Sequence, residues 1–310
     1  MSDLASLAAD KTVDETVAAA ARVLATAGVP EPRRDAGVLL GHALGAGRVL
    51  LLAWPKRRLN AIEAELYRDL VRRRARREPV SRLVGRREFW SMDFVVTPAV
   101  LDPRPDSETV VEAVLERVAD RAAPLSVLDL GTGSGCLLMA LLAELPNAVG
   151  VGVDLSRGAL DAARDNARRL GFRDRARFLH GDWGRGLAGG FNVIVTNPPY
   201  IPDGEIEDLA PEVAGHEPRL ALSGGVDGLE AYRRMAPDLA GLLAPNGFAV
   251  LEVGAGQADD VAAILGRSGL AVSGRRADLA GIERCLVAEP ARICPGGKKG
   301  LESSGRTINF

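Results

Sequence analysis

Cysteine and net charge are both scarce in this chain, and each shortage excludes something. Its three cysteines, Cys136, Cys285 and Cys294, are odd in number and scattered, which fits neither a disulfide framework nor a zinc site. No structural metal is therefore expected. Among 310 residues, 39 basic and 41 acidic side chains leave a formal charge of -2. A chain that wraps nucleic acid needs a net or clustered positive field, so direct nucleic-acid contact is not expected. Gly, Pro or a charge breaks every apolar run well short of membrane-spanning length, and the N-terminus lacks the basic-then-apolar order of a signal peptide. The expectation is a cytoplasmic monomer with no membrane association.

What is present is 47% hydrophobic residues, enough for one large domain and a smaller one. Residues 1–80 carry helical periodicity and almost no strand signal. Thr12 with Glu15, and Asn60 with Glu63, form capping-box patterns, the second ahead of Ile62, Leu66 and Leu70; Ala36 to Leu44 looks like a further short helix. In residues 81–105, Phe89, Trp90, Met92, Phe94 and Val96 suggest extended structure while Pro98, Pro103 and Pro105 exclude helix, which reads as a hairpin linker. Across 106–290, short apolar runs alternate with helical stretches: Ser126–Leu130, Val149–Val153, Ala176–Leu179, Val193–Thr196 and Ala249–Val253. That alternation predicts a parallel sheet covered by helices on both faces. Runs at Leu270–Ser273 and Cys285–Ala288 fit an antiparallel edge, and residues 291–310 fade into Gly, Lys and Ser as a disordered tail.

The run Val127-Leu128-Asp129-Leu130 leads into Gly131-Thr132-Gly133-Ser134-Gly135 and then a helix starting near Cys136. Glycine has no Cβ and tolerates positive φ, so such a turn lets a nucleoside cofactor approach the backbone. A purely structural turn and a dinucleotide site are the alternatives; the dinucleotide fingerprint places its third glycine one residue later. Asp154 ends the next predicted strand, where a carboxylate can accept from both ribose hydroxyls. A solvated or capping Asp is the competing reading. Asp182 and Trp183 follow the third strand, placed to accept from an adenine amino group and to pack on its ring, although a turn Asp and a partly buried Trp are common without any ligand.

Asn197-Pro198-Pro199-Tyr200 follows the strand Val193–Thr196. Proline stiffens the segment, so the Asn197 side-chain oxygen and the Pro198 carbonyl can converge on one NH2 group. A carboxamide nitrogen is a poor nucleophile that turns more positive as it attacks a sulfonium methyl. Acceptors aimed at its hydrogens stabilise that charge as it develops. Tyr200 offers a flat face for a planar amide or base. A glycine turn, a ribose carboxylate and this tetrapeptide in order point to methyl transfer from S-adenosylmethionine.

Arg87-Glu88-Phe89-Trp90, Pro103-Arg104-Pro105-Asp106-Ser107-Glu108, the glycine turn, Asp182-Trp183, Asn197–Tyr200, Glu217–Leu222 and Gly224–Leu229 together resemble the peptide chain release factor N5-glutamine methyltransferases, the HemK/PrmC family, from about residue 10 to 289. The resemblance implies a seven-stranded Rossmann-like class I S-adenosylmethionine-dependent methyltransferase domain of the α/β class, preceded by a small helical domain. It implies cofactor contacts from Asp129, Gly131, Thr132, Gly133, Ser134, Gly135, Asp154, Asp182, Trp183 and Asn197. Asn197, Pro198, Pro199 and Tyr200 would hold the acceptor, the glutamine of the release factor's Gly-Gly-Gln loop, with Asn197, Pro198 and Tyr200 catalytic. Two places depart from the commonest family wording: Asp106-Ser107 stands for Glu-Thr, and Asp102 for an aliphatic residue.

A DNA adenine-N6 methyltransferase would use the same tetrapeptide but needs a basic face to read base edges. Residues 201–226 instead hold Asp203, Glu205, Glu207, Asp208, Glu212 and Glu217, which read as a solvated loop or a lid beside an acceptor peptide. A non-catalytic cofactor-binding scaffold should show a broken acceptor motif, whereas Asn197 and both prolines are intact. The basic run Arg72, Arg73, Arg74, Arg76 and Arg77 reads as a solvated helix end or as a surface for an acidic partner. His216 reads as structural.

Overall fold

The computed structural model describes residues 4, 7–46, 53–278 and 280–291. The tail expected beyond residue 291, including Cys294, lies outside them. Both capping boxes form: the Thr12 and Asn60 side chains accept from the backbone N–H three residues on, and Glu15 and Glu63 reach back to the cap N–H. They open α1 (Val13–Thr26) and α3 (Ala61–Ala75). Between them, α2 (Pro32–Ala43) starts earlier than expected because Pro32 takes its first turn, where proline's fixed φ suits the helix.

The buried face of α3 is Ala64, Tyr67, Leu70, Val71 and Arg74, so of the apolar residues Ile62, Leu66 and Leu70 only the last turns inward. Ile62 is 80% exposed. The rotation is set by Tyr67, which is fully buried and donates its hydroxyl to the Ala36 carbonyl at 2.9 Å; a large ring with one polar end has few other places to go. Leu83, on α4 (Val80–Val84), completes this helical core.

Only part of the arginine run is a solvated face: Arg72 and Arg76 are exposed, whereas Arg74 and Arg77 turn inward. Arg74 is buried and pairs with Asp35 at 2.8 Å and Glu212 at 2.9 Å, while Arg77 pairs with Glu212 at 2.7 Å. Part of the basic cluster is therefore spent inside the chain, on the acidic insertion.

The hairpin pairs β1 (Arg86–Phe89) with β2 (Met92–Val95) through a turn in which Trp90 and Ser91 have φ of 51° and 56°. Left-handed conformations at both turn positions match the twist of a hairpin. More than a linker, the hairpin sends Phe89 and Phe94 into the core of the following domain, with ring centroids 6.3 Å apart edge to face.

That domain is a seven-stranded sheet ordered β5-β4-β3-β6-β7-β9-β8. Its strands are β3 (Ser126–Leu130), β4 (Val149–Asp154), β5 (Ala176–His180), β6 (Phe191–Thr196), β7 (Leu243–Glu252), β8 (Leu270–Ala277) and β9 (Glu283–Pro290). The first five are parallel, and β9 joins β7 and β8 antiparallel. Alternating residues build two cores. Val127, Val193, Val195 and Val250 face α5 (Glu108–Arg117) and α6 (Cys136–Glu144); Leu128, Ile194, Ala249 and Leu251 face α10 (Glu230–Leu242) and α11 (Ala258–Arg267). Helix α7 (Arg157–Arg169) follows β4, and the short α8 (Pro211–Ala214) and α9 (Arg219–Leu222) lie in the insertion after β6.

Candidate active site

From β3 the chain moves outward through β4 and β5, then returns to the other flank of β3 as β6. Strand order reverses between β3 and β6, and in such sheets ligands bind at the crevice beyond the carboxyl ends. A cavity of about 400 Å3 opens there. Gly131, Thr132, Gly133, Ser134, Asp154, Asp182, Trp183, Asn197 and Pro199 all line it.

Gly131 takes φ of 73°, and a Cβ there would lie 3.5 Å from the Trp183 indole. That distance is ordinary contact, so it is the positive φ that favours glycine here, and the indole flanks the turn as a flat wall suited to a nucleobase. Trp183 itself has φ of 54°, a costly conformation for a bulky residue. Gly135 serves packing instead: its Cβ would lie 2.4 Å from Met139 Cε, and it does not line the cavity.

Asp154 is braced, since its Oδ2 accepts from the Gly133 N–H at 2.9 Å and its Oδ1 from the Ser156 N–H at 2.8 Å. Burial raises its pKa while those N–H groups oppose the rise. Each oxygen keeps a further lone pair, so a pair of ribose hydroxyls fits this partly desolvated carboxylate. Asp154 thus holds the turn and also faces the cavity.

Three expected contacts, Asp129, Gly135 and Tyr200, are not among the residues that line the cavity. Asp129 is buried beneath the turn and accepts from Thr132 Oγ1 at 2.6 Å, and burial pushes its carboxyl up to about 7. It supports the glycine turn from below, away from the cavity lining, as does Gly135 from the helix side. Pro198 is buried. Tyr200 packs against the second core, with its hydroxyl 3.4 Å from Glu252 Oε1 and its phenol pKa raised by burial. Its ring is therefore not an open face of the cavity. Asp182 lines the cavity, but its carboxylate is shared with Arg234 at 2.7 Å and Arg185 at 3.4 Å. An adenine amino group there would share that carboxylate with two guanidinium groups.

Asn197 donates Nδ2 to Ser107 Oγ at 2.9 Å, which leaves Oδ1 as its free acceptor. Ser107 is buried in the turn Pro105–Ser107. Sequence reasoning passed over it, although the Pro103–Glu108 motif contains it. Two more residues were missed. Gln257 donates Nε2 to the Tyr200 carbonyl at 2.9 Å and accepts from the Gly254 N–H at 3.1 Å, pinning the acceptor loop. Glu217, its side chain 1% exposed, bonds Arg82 at 2.8 Å, Arg104 at 3.0 Å and the Asp102 N–H at 3.2 Å. Glu212 and Glu217 therefore turn inward, so the insertion is strapped to the hairpin region and the helical unit. Its neighbours Pro218, Leu220 and Ala221 wall the cavity. Asp102 is buried and accepts from Ser81 Oγ at 2.8 Å. Among the described residues, no group of three or more His, Cys, Asp or Glu could hold a metal.

Residues 15–85 match the PrmC N-terminal domain, and residues 106–216 the methyltransferase small domain. A release factor glutamine methyltransferase of Rhodospirillum rubrum is 49% identical, covering 86% of this chain and 81% of its own. One from Bradyrhizobium diazoefficiens is 44% identical, covering 90% and 96%, and one from Caulobacter vibrioides 46%, covering 79% and 85%. The chain belongs to the release factor glutamine methyltransferase family. It is an S-adenosylmethionine-dependent methyltransferase of class I fold. For this family's cofactor, the cradle of Gly131 against Trp183 and the braced Asp154 carboxylate are a chemical fit.

Asp154→Asn should weaken S-adenosylmethionine binding about 10- to 100-fold, the range expected for a hydrogen bond to a charged group. Calorimetric titration measures it. Unchanged affinity would make Asp154 a brace for the turn and nothing more.

Proposed function

We propose that this chain methylates the side-chain amide nitrogen of the glutamine in the Gly-Gly-Gln motif of peptide chain release factors, in the cytoplasm, in support of translation termination. The observation that carries this is the orientation of Asn197: Ser107 takes its NH2 group, so its carbonyl oxygen is left for a substrate N–H in the cavity that Asp154 and Trp183 also line. S-adenosylmethionine, when bound, supplies an electrophilic sulfonium methyl. Asn197 Oδ1 and the Pro198 carbonyl accept the two amide hydrogens, hold the nitrogen lone pair toward that methyl, and bind more tightly as the nitrogen gains positive charge. The alkylated nitrogen then loses its proton to water at the cavity mouth.

DNA as the acceptor is disfavoured by the net charge of -2 and by the pairing of Arg74 and Arg77 with Glu212. A non-catalytic role is disfavoured by the intact acceptor tetrapeptide and its pinned loop. The test is mass spectrometry of a purified release factor incubated with the protein and S-adenosylmethionine. One methyl increment on the Gly-Gly-Gln peptide is expected; methyl in DNA adenine and none in the factor would overturn the reading. Asn197→Ala should lower single-turnover transfer about a hundredfold or more, with fold and cofactor affinity retained. Near-normal turnover in that variant would rule out its acceptor role.

The helical unit is the part assigned to recognise the release factor, because it carries none of the cofactor or acceptor residues and leaves Ile62 and Leu66 exposed on α3. Ile62→Asp combined with Leu66→Asp should cut kcat/KM for the whole factor about tenfold or more, with little effect on a short Gly-Gly-Gln peptide. Equal losses on both substrates would show that this face does not bind the factor.

A further inference from the structure

Asp182 presents a carboxylate to the cavity, yet both of its oxygens already have a partner. Arg234 Nη2 lies 2.7 Å from Oδ1 and 2.7 Å from Oδ2, and Arg185 Nη1 lies 3.4 Å from Oδ2. Arg185 is an exposed side chain from the same turn, three residues on. Arg234 instead reaches across from α10 and itself lines the cavity. Methyl transfer at Asn197 makes no use of it.

Helix α10 is a firm base for that guanidinium. Tyr232 and Met235 are fully buried, and the Tyr232 hydroxyl donates to the Glu252 main-chain carbonyl at 2.9 Å, which fixes the helix on the sheet. Arg234, Asp238 and Leu242 recur every fourth residue and share one helix face. The turn after β5 seats on that face: a Cβ on Gly184 would lie 2.4 Å from Leu242 Cδ1 and 3.1 Å from Asp238 Cβ. The turn is thus packed onto α10 at Gly184 and tied to it at Asp182. Between those anchors stands Trp183, with its φ of 54°, and a strained backbone persists where its surroundings hold it from both sides.

Asp154, Leu155, Asp182 and Trp183 line the cavity together, at the ends of β4 and β5. With the ribose on Asp154, the attached purine has the Trp183 indole and the exposed Leu155 side chain as apolar surfaces and Asp182 as a polar one. A carboxylate has about four acceptor positions, so one that already meets Arg234 can still take an N–H from the 6-amino group of adenine. Covering a carboxylate with an apolar ring is costly unless a cation stays on it, and Arg234 is placed to be that cation. We propose that Arg234 is a positioning residue for cofactor selection: it fixes the Asp182 carboxylate as the acceptor for the purine 6-amino group and balances its charge when the base covers it. The proposal concerns the cofactor alone and does not depend on which acceptor is methylated.

The test is calorimetric titration of the full chain with two ligands, S-adenosylhomocysteine and its analogue carrying unsubstituted purine in place of adenine. The wild type should bind the adenine compound about 10- to 100-fold more tightly, the range for a hydrogen bond to a charged group. In Asp182→Ala the ratio should fall to about one. Arg234→Met keeps an unbranched stem without the charge; it should weaken the adenine compound about tenfold and the purine analogue less than about twofold, erasing most of the ratio. Arg234→Lys should show an intermediate ratio, since an ammonium keeps the charge without the planar fork. A residue that only held the turn together would weaken both ligands equally. A wild-type ratio in Arg234→Met, whatever the absolute affinities, therefore overturns the proposal, as does a wild-type ratio in Asp182→Ala or a ratio near one in the wild type itself. Should Arg234→Met not fold, Arg234→Gln decides in its place, and a wild-type ratio there overturns the proposal equally.

Discussion

The Thr196 hydroxyl donates to the Leu130 carbonyl at 2.7 Å, clasping the carboxyl ends of β3 and β6 at the register pair Leu130↔Thr196. Each strand then leaves the sheet on its next residue, β3 into the glycine turn and β6 into Asn197. Two parallel strands that end level put the cofactor turn and the acceptor loop side by side, with no long loop needed to bring them together. The clasp is buried, and without it the Leu130 carbonyl would lose a partner in an apolar setting, at a cost of about 1–3 kcal/mol. Asp154 at the end of β4 and Glu252 at the end of β7 extend the same edge. The site therefore lies along a row of strand ends, with Asp154 and Asn197 facing the cavity and Glu252 buried behind it.

Around that row, charge pairing decides where the remaining pieces sit. Glu217 is almost wholly desolvated, which is tolerable only because two guanidinium groups and a backbone N–H meet it. Those partners come from α4 and from the segment that leads to Ser107, so a single carboxylate in the insertion fixes the wall of the cavity and the approach to the Asn197 brace. Glu212 makes the equivalent link to α3. The acidic insertion thus couples the helical unit to the wall of the cavity.

Much of this was legible in the sequence, for physical reasons that vary by element. β3 was bounded correctly because its apolar run ends abruptly at Gly131. β7 starts at Leu243, earlier than the expected Ala249, since Pro245, Asn246 and Gly247 read as turn residues while pairing and burial lie outside the pattern. The capping boxes were readable because they are local, but the rotation of α3 was not, being settled by the contact of Tyr67 with Ala36, a residue on another helix. Arg74 and Arg77 read as surface charge because their partner Glu212 is far away in sequence. The glycine turn, Asp154 and Asn197 were visible as motifs. What motifs do not reveal is direction: Tyr200 turned inward to Glu252, Asp129 beneath the turn, and Ser107 holding the Asn197 amide all depend on packing between distant segments.

Methyl transfer as proposed depends on Ser107 holding the Asn197 NH2 group so that Oδ1 receives a substrate amide. A crystal structure of the protein with S-adenosylhomocysteine and a Gly-Gly-Gln peptide tests it most directly. The glutamine side-chain nitrogen is expected within about 3 Å of Asn197 Oδ1, with Nδ2 still on Ser107 Oγ. A glutamine amide bound away from Asn197, or an Asn197 whose Oδ1 faces Ser107 in the complex, would contradict it.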